Sequence, residues 1–139
     1  MVLKPEALRA RLLKLEEVIA GLVELADAQP HAGIRETWAV ERGLHLAAEV
    51  VFDIGNHVLS AQFGVSATDY EDILEQMARK AVISGALRAR LQGLGGFRNL
   101  LVHNYLRLDP QRVREKLTTA EADFTDFALE IRRWLESTG

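Results

Sequence analysis

The chain has 139 residues, almost half of them apolar, with few aromatics and three prolines, enough for one domain with a real core. It contains no cysteine, which excludes disulfides, thiolate metal sites and cysteine nucleophiles. A net charge of −3 argues against a general nucleic-acid binder, and no apolar run reaches the roughly 18 residues of a membrane span.

The opening residues, Met1 to Glu6, lack the apolar core of a signal peptide, so the expected compartment is the cytoplasm. A first helix is expected from near Lys4, with Pro5 tolerated in the opening turn. Leu8, Leu12, Leu15, Ile19 and Leu22 alternate spacings of four and three, which puts them on one helical stripe. Residues 26–33, with Pro30 and His31, read as the first connection.

A second helix is expected from about Ile34 to Gln62. Its stripe of Val40, Leu44, Ala47, Val51, Ile54 and Val58 is widened by Leu46, Val50 and Phe52, so this helix should touch more than one neighbour. Gly43 and Gly55 weaken it locally, and close packing is the natural reason for them. Gly64 stops it. Asp53 and Asn56 interrupt its apolar surface. They suit either contact with a polar site across a cleft or ordinary solvated positions.

Thr68 followed by Glu71 fits a capping box for a short third helix that buries Tyr70, Ile73, Leu74 and Met77. Ser84 is the candidate N-cap of another short helix, over about Gly85 to Leu94. Gly95-Gly96 is read as an interruption, with a further helix from about Phe97 to Leu106. Asp109 as N-cap and Pro110 at the first position open the last helix. Its stripe of Val113, Leu117, Ala120, Phe124, Phe127, Ile131 and Trp134 is the cleanest in the chain. Nothing alternates with period two. The expectation is an all-α, up-and-down bundle of four main helices plus short ones, a single domain over residues 1–139.

Charge is segregated along this chain. Between Arg79 and Lys116 stand nine Lys/Arg against Asp109 and Glu115, a local balance of +7, so the remainder carries −10. Such a tract either attracts phosphate in a salt-dependent way or lies scattered over solvated faces.

Inside that tract, the segment Gly95 to Tyr105 packs Arg98, Asn99, His103 and Tyr105 into about two helical turns. Its Arg-x4-His-x-Tyr pattern resembles the HEPN fold, and within it the HepT-like RNase toxins. The stretches Trp38 to Leu44 and Asp53 to His57 resemble that family's second helix, and Asp109-Pro110 agrees as well. The resemblance implies a metal-independent endoribonuclease toxin acting as a homodimer with the motif lining the intersubunit cleft. It also implies a minimal nucleotidyltransferase antitoxin that neutralises the toxin by attaching AMP to the motif tyrosine, here Tyr105. Nothing in this chain resembles a nucleotidyltransferase, so that enzyme is a separate partner.

The chemistry of the side chains fits. Metal-free RNA cleavage drives a 2′-hydroxyl against the adjacent phosphorus, which needs proton transfer and charge stabilisation. Histidine titrates near neutral pH, and arginine is permanently cationic and can fork onto two phosphate oxygens. Arg98 is therefore assigned to phosphate stabilisation and His103 to acid–base work, the pair that the resemblance also marks. Asn99, Tyr105 and Asp53 are supporting candidates. At about 100° per residue, Arg98 and His103 lie about 140° apart on a regular helix, whereas Asn99 and His103 share a face and Arg98 and Tyr105 fall within about 20°. The motif thus needs a wide cleft, a long arginine reach, a distorted helix end or a second chain. A second proton-transfer group is also needed, unless His103 serves twice.

No cofactor or metal is expected: His45 and His57 are twelve residues apart on one helix and not metal-spaced, and His31 reads as a loop residue. Trp38 and Trp134 read as packing anchors or dimer contacts. The competing reading is a non-catalytic helical adaptor that binds nucleotide or a nucleotidyltransferase in the same cleft.

Overall fold

The computed structural model describes residues 2–28 and 33–138, so the expectations for Pro30 and His31 lie outside the described residues. The elements are α1 (Pro5–Ala28), α2 (Ile34–Phe63), α3 (Tyr70–Arg79), α4 (Gly85–Leu91), α5 (Leu94–His103), a 3-10 turn (Tyr105–Arg107) and α6 (Pro110–Thr138). The bundle is all-α, as the periodicity implied. Its length is carried by α1, α2 and α6, and the motif helix α5 is a ten-residue fourth member.

Every residue of the three long stripes is buried. They converge on one apolar cluster. The wide apolar surface of α2 has the expected consequence: it packs against α1, α3, α5 and α6. Two glycines let neighbours come close. A Cβ on Gly43 would stand 2.7 Å from Leu22 Cδ2, and one on Gly55 would stand 2.5 Å from Ile73 Cγ2. Ion pairs tie the frame at its rim, Arg11 to Asp53 at 2.7 Å and Arg132 to Glu16 at 2.7 Å.

Three local readings need correction. The cap of α3 is Asp69, whose carboxylate accepts from the Asp72 N–H, while Asp72 accepts from the N–H of Thr68. The cap therefore lies one residue later than Thr68, and the return bond from Asp72 reaches the Thr68 N–H and not that of the cap residue. Glu71 is consequently free to act elsewhere. The break before the motif helix falls at Gly93, which takes φ +88, a conformation suited to glycine. Gly95 and Gly96 lie inside the first turn of α5. At its other end α5 stops at His103, with Asn104 at φ −130 and ψ 43, so Tyr105 sits on the following 3-10 turn and not on the helix. Ser84 and Asp109 cap as expected, accepting from Leu87 N–H and Gln111 N–H.

Among the described residues no helix is long and apolar enough to cross a membrane.

Candidate active site

The site is built on α5, a helix that begins without a side-chain cap of its own. Glu71 of α3 supplies what is missing. Its two carboxylate oxygens accept from the Gly93 N–H at 2.9 Å and the Gly95 N–H at 3.0 Å, satisfying amides that a helix start leaves open. The negative charge also suits the positive end of the helix dipole. Such closeness requires glycine at position 95, where a Cβ would stand 2.6 Å from Tyr70 Cβ. Phe97, fully buried, anchors the helix in the core. Burial of such a ring contributes about 3 kcal/mol.

Arg98 follows that anchor, its side chain 15% exposed. Its guanidinium lies over the Tyr70 ring with Cζ 5.1 Å from the centroid, and Tyr70 is held against Phe52 at 4.5 Å between centroids. Nε of Arg98 donates to Glu49 Oε1 of α2 in a short charged contact. Nη1 donates to Asn99 Oδ1 at 3.2 Å and lies 3.4 Å from His103 Nε2. No protein group accepts from Nη2 among the described residues, so it is open to a ligand.

The angular separation of Arg98 and His103 is thus overcome by the length of the arginine and by the position of His103 at the helix end. Both groups meet within one chain. Tyr105 is 70% exposed on the 3-10 turn, so its placement on a regular helix beside Arg98 does not hold. Of the two positions allowed for Asp53, the structure shows the solvated, hydrogen-bonded one. Asp53 pairs with Arg11 of α1, and the carboxylate that reaches the motif is Glu49, one turn earlier on the same face. Behind it, His45 Nε2 lies 3.5 Å from the same Glu49 oxygen and its Nδ1 lies 3.0 Å from Arg42 Nη1. Burial pulls the His45 imidazole below its ordinary value, and Arg42 and Arg98 add to that effect against the opposing pull of Glu49.

The sequence carried a signal for Glu49. His45, Glu49 and Asp53 are spaced by four, which draws a polar line along an otherwise apolar helix. Tyr70 and Glu71 carried none, because their roles depend on the packing of α3 against α5.

The basic tract is partly consumed by structure. Arg90 pairs with Asp123 and Asp126, at 2.8 and 2.7 Å. Arg79 meets Glu75, and Arg88 sits between Glu71 and Glu75. By contrast Arg107, Arg112, Arg114 and Lys116 have no carboxylate ion pair among the described residues, and all lie on the 3-10 turn or the first half of α6. Arg112 and Lys116 stand over the Phe97 ring, at 5.9 and 5.5 Å, next to the residue that bears the site. Among the described residues no three His, Cys, Asp or Glu side chains gather as a metal would need.

The family description Ribonuclease HepT-like matches residues 12–131. The chain belongs to this family. The HepT-like chain is 29% identical over 96 residues to the tRNA nuclease HepT of Aphanizomenon flos-aquae, covering 68% of this chain and 65%, just under two thirds, of that protein. Its fold matches that of the cytosolic protein YutE of Bacillus subtilis with a TM-score of 0.85 and 25% identity, over 99% of this chain and 95% of that one. The tri-AMPylated HEPN toxin of Shewanella oneidensis, solved in complex with MNT antitoxin, matches with a TM-score of 0.81 and 21% identity over 91% and 96% of the two chains. At that identity the likeness establishes the HEPN fold.

Proposed function

We propose that this HepT-like chain, as a single domain over residues 1–139, is a metal-independent endoribonuclease and the toxin of a toxin–antitoxin pair. The observation that carries this reading is the meeting of Arg98 and His103 at 3.4 Å, with Nη2 of the arginine open to a phosphate. Arg98 holds the scissile phosphate and stabilises charge on its oxygens. His103 transfers a proton, and Asn99 orients the arginine. Family membership and the relative described as a tRNA nuclease support RNA as the substrate. The unpaired cations on the 3-10 turn and α6 offer the rest of its backbone a basic surface.

The exposed Tyr105 is the AMP acceptor in this reading. A separate nucleotidyltransferase antitoxin joins the phenolic oxygen to the α-phosphorus of ATP, and pyrophosphate leaves. The added phosphate brings negative charge and bulk onto the turn that follows the motif helix, which would repel substrate phosphate. The active form is a homodimer with its cleft at this motif. The neighbour solved as a HEPN toxin with MNT antitoxin supports the pairing.

The test is RNA cleavage in EDTA by the wild type, His103→Ala and Arg98→Ala. Cleavage by the wild type alone is expected. A folded, AMP-free wild type that leaves RNA intact would overturn the nuclease reading in favour of the adaptor, which needs no proton-transfer group.

A further inference from the structure

We propose that Glu49 is the second proton-transfer group of this site, the base that accepts the 2′-hydroxyl proton while His103 protonates the leaving oxygen. The inference rests on the ribonuclease reading above. Cleavage by internal attack moves two protons, one off the nucleophile and one onto the leaving group, and one imidazole does not do both in a single step. The side chains around the Arg98 guanidinium narrow the choice. Asn99 does not titrate, and Tyr70 presents its ring face to the cation. His45 reaches Glu49 and Arg42, not the arginine.

Glu49 meets the requirements. Both of its contacts, to Arg98 Nε and His45 Nε2, fall on Oε1. Oε2 accepts no hydrogen bond among the described residues. The side chain is 41% exposed and lines an open cleft with Tyr70 and Phe52. Glu49 and His103 therefore occupy opposite ends of one guanidinium, the first at Nε and the second at Nη1, with the open Nη2 as a phosphate donor. A phosphate seated there has a carboxylate on one side and an imidazole on the other. In-line displacement at phosphorus calls for that arrangement, because attacking and leaving oxygens stand on opposite sides.

The step balances. Glu49 takes the proton from O2′ as the O2′–P bond forms. The P–O5′ bond breaks, and O5′ takes the proton of the His103 imidazolium. The products are a 2′,3′-cyclic phosphate and a free 5′-hydroxyl, and both side chains return to their starting protonation by exchange with water.

Glu49→Gln separates proton transfer from positioning, since its amide oxygen still accepts from Arg98 Nε. The wild type, Glu49→Gln, Glu49→Asp and His103→Ala would be compared on an RNA oligonucleotide and on the same oligonucleotide with sulfur at the bridging 5′ position, whose thiolate leaves without a proton. On normal RNA, Glu49→Gln should lose about 100-fold or more in kcat at unchanged melting temperature. Glu49→Asp, which still titrates, should stay above it. The sulfur substrate should restore His103→Ala but not Glu49→Gln. If Glu49→Gln stays within about threefold of an active wild type, or the sulfur substrate restores it as fully as His103→Ala, the base assignment is overturned and Glu49 only positions the arginine. A wild type that cleaves neither substrate overturns the ribonuclease reading itself, and this assignment with it.

Discussion

Arg98 Nη1 lies 3.4 Å from His103 Nε2 although the two are five positions apart on the chain. The contact depends on a planar, branched cation that engages Glu49 with one nitrogen and faces the imidazole with another. Lysine offers a single point charge and no fork. In the proposed scheme Arg98→Lys loses about 100-fold in RNA cleavage while melting with the wild type, which paired rate and thermal measurements would check.

Glu71 should matter to stability more than its half-exposed position suggests. Glu71→Ala removes the acceptor for two amides at the start of α5 and takes one carboxylate away from Arg88, whose Nε is buried without a hydrogen bond. A loss of about 1–2 kcal/mol is expected, read as a lower denaturant midpoint at unchanged slope.

Gly95→Ala should damage the site without touching a reacting group. The new Cβ would meet Tyr70 Cβ at 2.6 Å, and an atom fixed to the backbone cannot swing aside. Separation of α3 from α5 would loosen the ring beneath Arg98 and cost about 1–3 kcal/mol. Lower activity together with a lower melting temperature is the expected pair of results. Gly96→Ala, with nothing within 4 Å of the added carbon, is the control.

Stability should fall on acidification because of His45. Burial holds its folded-state pKa below the ordinary 6.5, so as pH falls through 6.5 the unfolded chain takes up the proton first. The contribution is complete above 6.5 and is lost progressively towards the lowered folded value. Melting temperatures from pH 7.5 to 5 should slope downward in the wild type and less steeply in His45→Gln.

Tyr105→Phe separates modification from catalysis. The phenol is 70% exposed, so its loss should leave melting unchanged. In the proposed scheme the variant still cleaves RNA but no longer gains AMP mass on incubation with nucleotidyltransferase and ATP. A mass gain equal to that of the wild type would move the acceptor elsewhere.

The stripes of α1, α2 and α6 were legible because an amphipathic period needs only local spacing. The same held for Ser84 and Asp109, whose caps act within three residues. The start of α5 was not legible. Gly95-Gly96 reads as a break, yet the chain bends at Gly93 and Gly95 is small because Tyr70 approaches it. Thr68 and Asp69 are both good caps, and one residue of register decided between them. At the site, Arg98 and His103 were legible as chemistry, but their meeting was not, since helical geometry alone separates them. Asp53 and Glu49 lie on one polar line of α2, and only the packing of α1 and α5 assigns Arg11 to the first and Arg98 to the second.

The attachment of α5 to Glu71 has a consequence for dynamics. A ten-residue helix is too short to persist by itself in water, and this one borrows its opening cap from α3. When α3 lifts away, the amides of Gly93 and Gly95 lose their acceptor, the ring under Arg98 leaves with it, and the helix frays. The α3 and α5 amides should therefore exchange with deuterium as one cooperative unit, faster than the centre of α2. Arg98 and His103 then stand together only while two separate stretches of the chain, α3 and α5, are docked on each other.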